Sequence, residues 1–214
     1  MLELDGLPPT VIAKVTGKAK RKQGERYSYV TYQREYRYAG VLYPINSAKS
    51  GCYTDILQRI IEQILLMKSH YGRVLFVRLD LHHQHFGEDN ELVSAFIKSA
   101  RAFVQRRYQT RHLGFVWVRE QERAKQQHYH LTLMIDGDVV RHPANLFKVL
   151  NESWQRRGGT LSIPKNPFIF IDNEDTLRTA IERASYLAKA RGKGYQQGGA
   201  HNFGCSQIGP TLCE

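Results

Sequence analysis

The chain has 214 residues, enough for one sizeable core, and its 31 Lys and Arg against 20 Asp and Glu give a formal net charge of +11. Such a field favours a polyanion, either nucleic acid or an anionic membrane surface. A hydrophobic content of 42% with 24% charged residues excludes a disordered chain, and no apolar run reaches the roughly 18–20 residues that span a bilayer.

The opening MLELDGLPPTVIAK lacks the basic and apolar regions of a secretory signal, and Cys52, Cys205 and Cys213 form no CxxC pair. Reduced thiols in a cytoplasm are therefore expected, with no disulfide frame. Residues 1–26, which include the basic run Lys18–Glu25, read as a basic N-terminal segment, and residues 27–214 as a single domain. In YSYVTYQREYRYAGVLY, Tyr27, Tyr29, Tyr36 and Tyr38 stand at two-residue steps around arginines, which predicts a strand or hairpin. Those tyrosines form either a half-buried core face, the simpler reading, or a basic aromatic surface on which bases stack.

Helical spacing of Ile56, Leu57, Ile60, Ile61, Ile64 and Leu65 predicts a core-facing helix over 53–68, and Leu92, Val93, Phe96, Ile97 and Phe103 predict another over 90–108. Between them RVLFVRLDL, residues 73–81, suits a central strand. LGFVWVRE (113–120) and HYHLTLMID (128–136) read as a hairpin joined by the polar QERAKQQ. Pro143 opens a helix to about Arg157, Gly158 and Gly159 end it, Phe168–Ile171 is a short strand, and a last helix is expected from Glu174 to Ala190. Strands interleaved with helices, with one clear hairpin, indicate an α+β fold: a central antiparallel sheet with helices packed mainly on one face.

Two imidazoles, His128 and His130, flank Tyr129 inside a strand pattern, so alternation places both on one face. With 9 histidines in the chain about 0.4 such triplets arise by chance, and His83 with His85 supplies a second, so the triplet by itself is weak. Pairing adds to it: if 121–127 is the loop, Glu120 lies opposite His128 and Val118 opposite His130. Glu120, His128 and His130 then offer two neutral nitrogens and a carboxylate oxygen with positions left open, a set suited to Mg²⁺ or Mn²⁺ bound together with substrate phosphate oxygens. The plain alternative is a pair of histidines hydrogen-bonded at a strand end. Asp80, His82, His83 and His85 form a rival cluster, read first as a solvated strand exit, although Asp80 or His82 could reach the same sheet face.

The apolar stripe of the last helix is Leu177, Ala180, Ile181, Ala184, Leu187 and Ala188, which leaves Glu182, Tyr186 and Lys189 together on the other side. A tyrosine there, with Arg183, Arg191 and Lys193 nearby, is placed to meet a phosphodiester; a helix-edge aromatic covering the core is the plain alternative.

In chain order, an apolar strand with FVRLDL, then Glu120 with His128-Tyr129-His130, then Tyr186-Leu187-Ala188-Lys189 resemble the three motifs of HUH endonucleases, the superfamily of rolling-circle replication initiators. The step from Glu120 to His128 is similar to that of geminivirus-type initiators, and Asn202-Phe203-Gly204-Cys205-Ser206 resembles the closing segment of inovirus-type replication proteins. The resemblance spans roughly Arg73 to Ser206, with Asp80 standing where the first motif commonly carries threonine. It implies an RRM- or ferredoxin-like architecture, a divalent metal on His128, His130 and Glu120, Tyr186 as a single nucleophile forming a 5′-phosphotyrosine bond on one DNA strand, and Lys189 either neutralising charge on the phosphate or holding the tyrosine in line. Tyr195, in a glycine-rich stretch, is a poor second nucleophile. No GxxxxGK[ST] loop is present in the sequence, so a separate helicase or an already single-stranded or locally unpaired DNA site is expected. The implied setting is a bacterial host cytoplasm and a mobile element, with no membrane. Arg34, Arg37, Arg183, Arg191, Lys193, Lys20 and Arg21 are the expected contacts to the nucleic-acid backbone. Two other readings compete: a non-catalytic nucleic-acid-binding protein, and a metal-dependent nuclease in which water attacks.

Overall fold

A computed structural model of the chain describes residues 30–84, 89–121, 127–191 and 201–210. The N-terminal segment with Tyr27, Tyr29, Lys20 and Arg21, together with His85, Lys193, Tyr195 and Cys213, lies outside the described residues.

Two short strands, β1 (Val30–Thr31) and β4 (Cys52–Tyr53), pair with each other and bracket a hairpin of β2 (Glu35–Tyr38) and β3 (Val41–Pro44). Its two-residue turn, Ala39–Gly40, takes φ of 50° and 91°, the doubly positive arrangement that matches strand twist. The tyrosines here serve the core: Tyr38 and Tyr43 are buried against residues of helix α1 (Thr54–His70), Tyr36 packs at the edge of the same cluster, and burial pushes the phenols of Tyr36, Tyr38 and Tyr43 up. The exposed Tyr32 is the exception.

The main sheet holds β5 (Val74–His83), β6 (Gly114–Gln121), β7 (Gln127–Asp136), β8 (Gly159–Ser162), β9 (Phe168–Ile171) and β10 (Phe203–Cys205). Every pairing is antiparallel, in the order β10-β6-β7-β5-β8, with β9 following β8 along the same edge of β5. Helix α2 (Glu91–Tyr108) links β5 to β6, and α3 (Ala144–Gln155) links β7 to β8. This βαββαβ unit with β5 and β7 at its centre is the ferredoxin-like arrangement.

The fold class is as expected, but the helices are divided between the two faces of the sheet. Odd-numbered residues of β5, such as Leu75, Val77 and Leu79, pack with Val93, Phe96 and Val104 of α2 and Leu146, Leu150 and Trp154 of α3. Even-numbered Val74 and Phe76, with Val116, Val118 and Met134, pack instead on Ile56, Ile60 and Ile64 of α1 and on Leu177, Ala180 and Ile181 of α4 (Glu174–Ala184). Cover on both faces explains why β5 reads as a continuous apolar run. It also makes its polar residues, Arg78, Asp80 and His82, conspicuous.

Other departures are local. The strand expected at 73–81 continues to His83, where β8 adds a short edge pairing His83 with Gly159. Helix α4 begins with a reciprocal cap between Asn173 and Thr176, but it ends at Ala184 rather than 190. Residues Ser185–Ala188 form a 3₁₀ turn, and Lys189 is already extended. Tertiary partners draw the chain off the helix: Ser185 Oγ accepts from Asn46 N (2.8 Å), Ala190 N donates to Gly51 O (3.2 Å), and Lys189 bridges to Cys52. Cys52 and Cys205 are free thiols. No helix among the described residues is long and apolar enough to cross a membrane.

Candidate metal centre

Cross-strand register assembles the site. Glu120 is the Cα partner of His128, Val118 of His130, Asp80 of His130 and His82 of His128. Because opposed residues share a face, Glu120, His128, His130, Asp80 and His82 all emerge on the side of the sheet covered by α1 and α4. The apolar wall of that face stops at Val118 and Thr132, and the polar cluster occupies the end of the strands beyond it.

The two imidazoles meet at a single carboxylate oxygen. Glu120 Oε2 lies 3.3 Å from His128 Nε2 and 3.1 Å from His130 Nε2, and the ligand atoms of all three residues fall within 4.8 Å of one another. Glu120 and His130 are buried, at 8% and 6% exposure, and His128 is half-buried. Two imidazole nitrogens and a carboxylate oxygen make a donor set that fits a divalent cation of the Mg²⁺, Mn²⁺ or Zn²⁺ kind and leaves coordination positions for other ligands.

A fourth residue sets the proton on His130. Asp80 Oδ1 lies 2.6 Å from His130 Nδ1 and Glu120 Oε2 lies 3.1 Å from Nε2, so both ring nitrogens face carboxylates; an ion on Nε2 would replace its hydrogen and leave Nδ1–H donating to Asp80. This carboxylate behind a ligating imidazole is a common orienting device in metal sites. Burial opposes charge on His130, yet hydrogen bonds and charge from Asp80 and Glu120 outweigh it and raise its pKa. For Asp80 burial pulls upward, and the His130 and Arg78 contacts overcome it to hold the carboxyl below its ordinary value. His82, whose ring stacks on His128 with centroids 5.6 Å apart, is shifted down by burial and by the neighbouring His128. The rival cluster thus resolves into two groups: Asp80 and His82 join the site, whereas His83 points to the other face and bonds Arg157 O through Nε2 (3.1 Å).

Tyr186 stands beside the cluster. Its half-buried ring meets the His130 ring edge-on, with centroids 5.4 Å apart, and the Arg78 guanidinium lies over its face at 4.2 Å from the centroid. The 3₁₀ turn separates it from Lys189. Instead of sharing a helix face with Tyr186, Lys189 turns its Nζ to donate to Ala48 O at 2.5 Å. Arg183 is near the cluster and donates to Phe168 O (3.5 Å). Arg191 is exposed just past the turn. Arg34 and Arg37 are exposed on the β2–β3 hairpin, outside the sheet that carries the cluster, and Arg37 donates to Gly40 O of its own turn (3.0 Å). The residue sequence reasoning missed is Arg78. Its signal was present, since a cation two residues before Asp80 in an otherwise apolar strand must share Asp80's face.

Comparison with known proteins places this cluster in a family context. The family model of the YagK/YfjJ C-terminal domain matches residues 39–162, a segment that holds Arg78, Asp80, Glu120, His128 and His130 and ends before Tyr186. The chain is also similar to the "Uncharacterized protein YagK" of Escherichia coli (strain K12), with 23% identity over 190 aligned positions, covering 70% of this chain and 91% of the relative. No solved structure matches the chain.

Proposed function

The chain belongs to the YagK/YfjJ C-terminal domain family, and from that premise we propose that it is a divalent-metal-dependent DNA-nicking endonuclease of the HUH type, with Tyr186 as its nucleophile. The observation that carries this reading is the edge-on packing of Tyr186 against His130 at 5.4 Å, beside the group of Glu120, His128 and His130. A helix-edge tyrosine serving only the core would have no reason to face a buried polar cluster.

In this reading Glu120, His128 and His130 hold Mg²⁺ or Mn²⁺. When bound, the ion polarises the scissile phosphate of one strand. Asp80 fixes the ring of His130 and its tautomer. The Tyr186 hydroxyl gives its proton to solvent water, its oxygen bonds to phosphorus, and the bond from phosphorus to the 3′ oxygen breaks. That oxygen takes up a proton, leaving a free 3′-hydroxyl and a 5′-phosphate esterified to Tyr186. Proximity is the main contribution of the fold, because nucleophile and ligands sit on facing elements fixed by one core. Lys189, bonded to Ala48, does not lend the support that the motif resemblance implies. The substrate is single-stranded or locally unpaired DNA in the cytoplasm of a bacterial host, with strand separation supplied by another protein. The basic charge of the chain supports such a partner.

The test is cleavage of single-stranded DNA from the genetic element that encodes the chain, in Mn²⁺, by wild type and Tyr186→Phe. The expected result is loss of cleavage in the variant with strand affinity retained. Undiminished cleavage by Tyr186→Phe overturns the reading in favour of attack by water, and no cleavage by either protein favours a binding module.

A further inference from the structure

Two guanidiniums beside Tyr186 are poorly used by the fold. Arg78 sits in the middle of β5 with its side chain only 19% exposed, yet the one hydrogen bond of its guanidinium among the described residues is a long one, 3.5 Å to Asp80 Oδ1. Its Nε is buried with no partner among the described residues. Arg183 is half-buried and likewise makes one long contact, 3.5 Å to Phe168 O. Both belong to one corner, since the backbone N of Arg78 donates to Pro167 O (2.7 Å), next to the carbonyl that Arg183 reaches.

A guanidinium is a fork of N–H donors, and half-buried donors left unmade are costly. Two such forks held near each other also repel, and Arg78 lowers the pKa of Arg183 after burial has done so. Asp80 is shared between charges, since it pairs with Arg78 at 3.5 Å while its shorter bond of 2.6 Å goes to His130. Nothing in the packing of this corner calls for two cations, whereas an anion bound between them would satisfy both. The neighbours narrow its chemistry: Tyr186 lies under Arg78, and the metal ligands lie beyond that ring.

We propose that Arg78 and Arg183 form an anion subsite beside Tyr186 that holds a backbone phosphate of a single-stranded nucleic acid. The choice of anion rests on the nickase reading, but the subsite itself needs neither metal nor cleavage. Arg78 then takes the position of phosphate-binding cation that Lys189, turned toward Ala48, leaves open. Bidentate bonding to phosphate oxygens suits arginine and explains why a planar guanidinium, not an ammonium, stands over the ring.

The experiment is an NMR titration of the full-length ¹⁵N-labelled chain without added metal, observing arginine Nε–H signals. Arg78 and Arg183 signals are assigned by their loss in R78K and R183K. Inorganic phosphate and single-stranded hexathymidylate are added separately. Saturable shifts of both signals with both probes are expected, with hexathymidylate affinity reduced roughly tenfold in R183Q, the loss of one charge-assisted contact. Absence of shifts with both probes overturns the subsite, and the Arg183 signal, assigned by R183K, carries this test if R78K fails to fold. Shifts with phosphate but none with hexathymidylate overturn its assignment to a nucleic-acid backbone. Shifts with both, in a protein that forms no Tyr186 adduct, uphold the subsite while removing the nickase reading.

Discussion

At the residue scale the centre depends on Asp80, which touches no ligand position yet decides which nitrogen of His130 is free. Removing such an orienting carboxylate typically weakens metal affinity about 10–100-fold. Asp80→Asn is expected to lower Mn²⁺ affinity by that factor in calorimetric titration, and His128→Ala to abolish binding. Equal Mn²⁺ affinity in Asp80→Asn and wild type would show that His130 needs no orientation. A second histidine cluster, away from this site, gives a pH signature. His70 and His112 pack with centroids 4.2 Å apart and ring planes tilted by 40°, and His112 Nδ1 contacts the Tyr71 hydroxyl at 3.2 Å. Burial, then the charges of His70 and Arg111, hold the His112 pKa below its ordinary 6.5. With its folded pKa below the unfolded one, His112 contributes a stabilising share that is present above pH 6.5 and lost as pH falls through the lower folded value. Urea titrations from pH 7.5 to 5 should show wild type losing stability more steeply than His112→Gln. Parallel slopes would remove His112 from the account.

At the element scale, two devices position the site from outside the sheet centre. The cap of α4, Asn173 Oδ1 accepting from Thr176 N at 2.9 Å, fixes the start of the helix that leads into the 3₁₀ turn carrying Tyr186. Asn173→Ala should cost about 1 kcal/mol and lower Tm by about 2–4 °C in a thermal melt, and no shift would mean that the cap contributes nothing. On the opposite edge β10 locks β6, with Phe115 N donating to Ser206 Oγ (3.1 Å) and Arg119 N to Asn202 O (2.8 Å). A Cβ at Gly204 would stand 2.6 Å from the Trp117 ring, so Gly204→Val should detach β10 and speed amide exchange at Phe115 and Arg119. Unchanged protection there would show that β10 docks without the close approach. Much of this architecture was legible in the chain: alternation and loop length gave the Glu120–His128 register, and helical periodicity placed α1 and α2. The end of α4 was not, because its apolar stripe runs on through Leu187 and Ala188 while the bonds that stop it come from Asn46, Gly51 and Cys52, far away in sequence. Nor was β8, whose few residues carry little pattern and gain their place from the end of β5.

For the whole molecule, the sheet serves as a partition. Helices α2 and α3 bury the odd-numbered face completely enough to make a rigid floor, while α1 and α4 cover the even-numbered face only as far as the polar cluster. Glu120, His128 and His130 are therefore set on the paired strands β6 and β7, and Tyr186 arrives from a separate element, so the two halves of the site meet only in the folded state. The central claim is that this meeting is chemical. Its most direct test is mass spectrometry of tryptic peptides after the full chain has reacted with single-stranded DNA of its own genetic element in Mn²⁺. The account predicts a nucleotide carried on the peptide containing Tyr186, absent when the metal is chelated. Cleaved DNA with every peptide unmodified, or a nucleotide on a different residue, would contradict it.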